Sequence, residues 1–154
     1  AMHKLSKMFA DREVLKTYAA IVAPCPKVIA AEIRTQIGRH PVNRKKMAVV
    51  RSGGKDAYTR FTTLKRGKIG NVTAALLQVR IMTGRTHQIR VHMSYFGSPV
   101  IGDGTYGGNG RIPAPRQMLH AWKITFPHPF TKEELSFEAP FPADFQEYVD
   151  KIQE

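Results

Sequence analysis

Apolar residues along this chain follow two rhythms, and the change from one to the other divides it. Leu5, Met8 and Phe9 have helical spacing and predict a short helix over residues 3–12. From there to residue 81 the rhythm is that of strands. "VLKTYAAIVA" (14–23) reads as a strand ended by "PCP". "VIAAEIRTQI" (28–37) fits either period by pattern, and the prolines and glycines bracketing it favour a strand. "MAVVRS" (47–52) and "AYTRFTTLKR" (57–66) predict two strands joined through Gly53-Gly54. "VTAALLQVRI" (72–81) is apolar on both alternating faces, so it predicts a strand between a core and a covering layer. Strands in such close succession predict antiparallel pairing.

After Thr83-Gly84 the rhythm becomes helical. Ile89, Met93 and Phe96, with Val91 and Tyr95 beside them, predict a helix over residues 86–96, capped by Thr86 and stopped by Gly97. A loop dense in glycine and proline follows. "MLHAWKITFPHP" (118–129) and "ELSFEA" (134–139) predict a closing strand pair. "PADFQEYVDKIQ" (142–153) predicts a terminal amphipathic helix with Pro142 near its start and Phe145, Tyr148, Val149 and Ile152 on one face. With no internal repeat and no linker, residues 1–154 read as one unit. The class is α+β, a mostly antiparallel mixed sheet with flanking helices.

Charge changes the picture more than composition does. Lys and Arg number 24 against 12 acids, a formal charge of +12. Residues 34–68 hold eleven basic side chains and one acid, Asp56, whereas residues 132–154 hold seven acids and two lysines. An excess confined to one region points to a polyanion as partner, and nucleic acid fits best. Within it, Arg39, His40, Arg44, Lys45 and Lys46 form a short basic loop suited to a nucleic-acid backbone. The single cysteine, Cys25, excludes an internal disulfide and a cysteine-based metal cluster. No apolar run is long enough for a membrane helix, no secretory signal is visible, and a cytoplasmic location is expected.

The densest chemistry lies in "TGRTHQIRVH" (83–92), where two arginines, two histidines and two threonines follow a strand directly. Gly84 suits a tight strand-to-helix turn, and Arg85 at the positive end of a helix could hold a phosphate bidentately. Arg90, between Ile89 and Val91, is expected to be partly buried, and a buried guanidinium needs an acceptor. That predicts a carboxylate partner which the motif itself does not contain. His87 and His92 are five residues apart, which does not stack them on one helical face, so no metal site is expected.

"TGRTHQIRVHMSYFGSPVIGDGTYGG" (83–108) closely resembles the signature of the RluA-type family of RNA pseudouridine synthases. "REVLKTYAAIV" resembles that family's Lys-x-Tyr strand, "IGRHPVNRKKMAVVRSGGKDAYTRF" its basic segment, and "RQMLHAWKITFPHP" with "LSFEAPFP" its C-terminal end. The resemblance runs through nearly the whole chain in order. One motif is missing. The family's catalytic aspartate lies in His-Arg-Leu-Asp followed by Thr-Ser-Gly, and none of Asp11, Asp56, Asp103, Asp144 or Asp150 has those neighbours. The chain therefore resembles the C-terminal portion of the catalytic domain, a partial pseudouridine synthase fold.

The resemblance implies isomerisation of uridine within RNA, large-subunit ribosomal RNA first and transfer RNA second, without metal or cofactor. It implies that Arg90 pairs with the family's aspartate and that Tyr18 packs on the target base. Lys16 would be structural or contact RNA, and Arg85, Thr86, His87 and Gln88 would shape the pocket floor or hold phosphates. Asp103 in "GDGTYGG" is expected to fix its loop rather than to catalyse. The isolated chain is expected to be inactive and to self-associate through an exposed sheet edge. The alternative is a non-catalytic RNA-binding module.

Overall fold

The computed structural model describes residues 14–108, 110 and 112–154. The helix expected over residues 3–12 lies outside them. Seven strands form one sheet: β1 (Leu15–Val22), β2 (Ala30–Arg39), β3 (Met47–Val50), β4 (Lys55–Ile69), β5 (Val72–Ile81), β6 (Leu119–Pro127) and β7 (Glu134–Glu138). Their order is β3-β2-β4-β5-β1-β6-β7. Every pairing between named strands is antiparallel, so the mixed character expected from the sequence is absent from these ladders. β4 is longer than its pattern suggested: it starts at Lys55 and runs past Arg66 to Ile69, continuing the hairpin with β5 down to the turn at Gly70.

Two helices cover opposite faces: α1 (Gln88–Phe96) and α2 (Ala143–Lys151). The alternation of β1 decides which residue meets which helix. Ala20 and Val22 point into a cluster with Phe61, Leu77, Ile89 and Met93, under α1. Ala19 and Ile21 point the other way, to Met118, Phe145, Val149 and Ile152, under α2. β1 is thus buried on both faces, as is β5 from Ala74 to Leu77. Most of the apolar surface removed from water lies in these two clusters, and its burial is the main favourable term in folding.

Gly97 ends α1 with φ 102° and donates its N–H to Met93 and Ser94, the stop expected from the sequence. The loop after α1 turns back under the helix. Gly102 has φ 78°, and a Cβ there would collide with the Arg116 carbonyl, so the loop requires glycine twice over. The sheet edges are β3, four residues long, and β7, five residues long with Glu134 and Glu138 at its ends. Edge strands this short, and in β7 flanked by charge, are poor templates for pairing with another chain. No helix among the described residues is long and apolar enough to cross a membrane.

Candidate nucleic-acid site

The site begins where β5 turns into α1. The turn is organised by Gln88, which is buried and uses both ends of its amide. Its Oε1 accepts from the Thr83 hydroxyl at 2.7 Å and the Arg85 N–H at 3.0 Å. Its Nε2 donates to the Tyr58 carbonyl and the Thr59 hydroxyl, both at 2.9 Å. Gln88 therefore pins the turn to β4, and with both ends of its amide engaged within the protein it fits the shaping of the pocket floor rather than a hold on phosphate. Thr86 is not the cap expected of it. It is exposed and caps nothing, and α1 starts two residues later than expected, at Gln88. The cap position belongs to His87, in the left-handed conformation at φ 55° and ψ 25° with no side-chain cap. For a non-glycine residue that conformation costs about 1–2 kcal/mol, and strain of this kind gathers at functional sites.

Lys16, Tyr18, Arg85, His87, Gln88 and Arg90, with Gly84, Ile81, Ile89 and Leu119, line one recess of about 260 Å³. β1 supplies Lys16 and Tyr18, and the turn and α1 supply the rest. Tyr18 stands at a register shift between β1 and β6, placed between Thr17 and Tyr18. Such irregularities re-aim side chains. Tyr18 is half-buried against the cluster that holds Leu77, Val79 and Ile89, and burial raises its phenol above the ordinary value. Its hydroxyl makes no hydrogen bond among the described residues, which leaves the ring a flat wall with a polar tip. Gly84 does not adopt positive φ; a Cβ there would meet only the Lys16 ammonium at 3.6 Å.

Arg90 has its carboxylate inside this chain. Its Nε donates to Asp103 Oδ2 at 2.8 Å and its Nη2 to Oδ1 at 3.0 Å. The Asp103 side chain is fully buried and that of Arg90 only 15% exposed. The bidentate bond to Asp103 holds Arg90 firmly charged against the opposing effect of burial. This corrects the expectation of a missing partner. Asp103 also accepts the N–H groups of Thr105 and Tyr106, so it fixes its loop as well. The pairing was hidden in the sequence because thirteen residues and a glycine-rich loop separate the two. The one available signal was the "GDG" just after an apolar helix with an embedded arginine.

Tyr106, which the sequence reading passed over, joins three segments. Its hydroxyl lies 2.8 Å from His87 Nδ1 and accepts the Met47 N–H at 2.9 Å. The Arg90 guanidinium sits 5.1 Å over its ring. His87 is held below the ordinary imidazole value, first by burial and then by the Arg90 cation, with Asp103 opposing. His92 is separate from the recess. It is buried between Thr35 Oγ1 at 2.8 Å and Thr59 Oγ1 at 2.7 Å, and burial pushes it down to about 4.

Arg39, His40, Arg44, Lys45 and Lys46 do not line the recess. Arg39 ends β2 and the other four belong to the β2–β3 connection, reached from the recess through Tyr106 and Met47. His40 Nδ1 accepts from the N–H groups of Val42 and Asn43, and Arg39 Nη1 donates to the Arg44 carbonyl, so two of the five organise the loop itself. Arg44 and Lys45 are exposed.

A family model described as RNA pseudouridylate synthase matches residues 1–95. An uncharacterized RNA pseudouridine synthase of Chlorobaculum parvum is 40% identical over 99% of this chain and 51% of its own length. The ribosomal large subunit pseudouridine synthase D of Neisseria meningitidis serogroup B is 40% identical over 94% of this chain and 40% of its own length. Among solved structures, human RNA pseudouridylate synthase domain containing 1 is similar with a TM-score of 0.78 and 31% identity, over 91% of this chain and 60% of that one. The chain spans about half the length of the relatives it matches.

Proposed function

Since this chain belongs to the RNA pseudouridylate synthase family, we propose that it forms the C-terminal part of the catalytic domain of an enzyme that isomerises uridine to pseudouridine in RNA. The target uridine is flipped out of its strand, its base is detached, rotated and rejoined to the ribose through C5. Extrusion is the general route when chemistry must reach a stacked base.

The observation that carries this reading is the recess itself. One flat aromatic wall, Tyr18, faces a rim of Lys16, Arg85 and Arg90, in a space smaller than the roughly 300–1,000 Å³ of pockets for drug-sized ligands. That suits a single planar ring attached to a phosphate backbone. Tyr18 stacks on the base. Lys16 and Arg85 neutralise adjacent phosphates, and the exposed Arg44 and Lys45 extend the contact along the strand. Arg90 keeps Nη1 uncommitted among the described residues, and that edge meets the family's aspartate when the polypeptide carrying it is present. Asp103 then acts as the anchor that holds the guanidinium in place. No metal or cofactor enters these steps. The substrate is large-subunit ribosomal RNA, which the name of the Neisseria relative specifies for that protein, and the reaction takes place in the cytoplasm.

The test measures binding of this chain to a large-subunit ribosomal RNA transcript at low and moderate salt, with pseudouridine assayed in parallel. The expected result is salt-sensitive binding without product, because the aspartate motif is absent from these 154 residues. Product formation would refute the assignment of roles and direct mutagenesis to Asp103 and Asp56. Absence of binding would refute the RNA contact surface. Binding without product by the longer protein as well would favour a non-catalytic RNA-binding module.

A further inference from the structure

A phenol hydroxyl has one proton, and the position of Tyr106 determines where that proton goes. The Met47 N–H already donates to the Tyr106 oxygen. The other neighbour at hydrogen-bond distance is His87 Nδ1, at 2.8 Å. Were Nδ1 protonated, the phenol proton would have no acceptor among the described residues. The arrangement closes only if the Tyr106 O–H donates to an unprotonated Nδ1.

We propose that Tyr106 fixes His87 as the neutral Nε2–H tautomer, and that this N–H is the donor the recess offers to a carbonyl oxygen of a pyrimidine base. The second half rests on the reading of the recess as a base pocket; the first does not. Nε2 has no hydrogen-bond partner among the described residues, while the ring lines the recess beside Arg90. The ring is held from two sides. Its backbone takes the left-handed cap position, and its edge meets the Tyr106 ring at 5.6 Å in a T-shaped contact.

The surrounding charges favour a neutral donor. The Arg90 cation acts on the imidazole, Arg90 and Lys46 stand 5.1 Å and 6.0 Å from the Tyr106 ring that His87 meets, and Asp103 is committed to Arg90. A third cation here would be repelled by two others. An uncharged N–H avoids that repulsion and suits an uncharged acceptor. The charged donors around it serve phosphate; His87 serves the base. The same hydroxyl ties this donor to the first residue of β3, at the end of the basic loop.

The test is a long-range ¹H–¹⁵N correlation of the histidine side chains in this chain, with His87 assigned by His87→Gln. The expected wild-type pattern shows Nε2 protonated and Nδ1 bare. The expected pattern in Tyr106→Phe, whose fold is checked on the other histidines, is an averaged mixture. A protonated Nδ1 in the wild type, or an unchanged pattern in Tyr106→Phe, would overturn the tautomer assignment. A second arm adds a short uridine-containing single-stranded RNA, or the same RNA with abasic sites in place of uridine. The Nε2 resonance should move with the first only, and His87→Leu should weaken the uridine preference about tenfold, with His87→Gln retaining it. Equal binding of both RNAs with Nε2 unmoved would sink the donor role and leave RNA binding intact. No binding of either would sink the base-pocket reading and the donor role together, while the tautomer would be decided by the first arm.

Discussion

Acid should unfold this protein partly through one buried histidine. The Gln88 amide donates to the Thr59 hydroxyl, so that hydroxyl must donate onward to His92 Nδ1. His92 then donates from Nε2 to Thr35. The chain of donors is complete only when the ring is neutral; a proton on Nδ1 would leave the Thr59 O–H without an acceptor among the described residues. Burial adds to this, and His92 is pushed down to about 4 from 6.5. A histidine with a lowered folded value contributes stability in full above pH 6.5 and loses it as pH falls through that window. With these two values the loss is about 2 kcal/mol at pH 5 and approaches about 3 kcal/mol below pH 4. The assay is urea denaturation of the wild type and His92→Phe at pH 7.5 and pH 5. The variant lacks the hydrogen bonds and is less stable at pH 7.5, but it has nothing to titrate at this position. Other titrating groups are common to both proteins and cancel in the difference. The stability gap should therefore shrink by about 2 kcal/mol on going to pH 5. An identical gap at both pH values, with equal denaturant slopes, would refute the donor chain.

Other expectations follow from the same geometry. Asp103→Ala leaves the Arg90 guanidinium without its buried partner and two loop N–H groups without an acceptor, so urea denaturation should show a loss of about 3–5 kcal/mol; a loss under 1 kcal/mol would mean that the pair is not formed. The Tyr18 phenol has a raised folded value, so its contribution is present below the unfolded value near 10 and is lost as pH rises past it; ultraviolet titration should show one tyrosine ionising after the exposed ones, and Tyr18→Phe should remove that late step. The self-association expected of the chain on its own must overcome edge strands of only four and five residues; a sedimentation coefficient that rises with concentration would show that they pair, and a single concentration-independent monomer species would exclude it.

Much of the fold was legible because β-strands buried on both faces leave a strong mark. The apolar run 72–81 is β5 to the residue. The end of α1 was legible because Gly97 has one favourable use there. Its start was not. Thr86 has the chemistry of a cap, but the Gln88 side chain folds back to take the Arg85 N–H, and this displaces the cap to a strained histidine. Propensity assigns caps residue by residue and does not include a competitor two residues downstream. The recess was half legible. Arg85, His87 and Arg90 stand in one motif, whereas Lys16 and Tyr18 reach them only because β1 inserts beside β5, a pairing across some sixty residues. Tyr106 left no signal, since its role is to join three segments that are distant in sequence. The basic loop was legible as a loop but not in its division of labour, because nothing in the spacing reveals that the His40 ring is turned inward onto its own backbone.

The place of β1 also bears on how the molecule assembles. β4 and β5 are joined by a tight turn at Gly70 and can zip together locally. β1 is the first described strand, yet its neighbours are β5 and β6, the latter about a hundred residues away. Closing a loop of that length is entropically unfavourable, and the contacts that offset it form only once both neighbours are in place. Insertion of β1 should therefore limit the folding rate. It is also the strand that carries Tyr18, so the aromatic wall of the recess does not exist until folding is nearly complete.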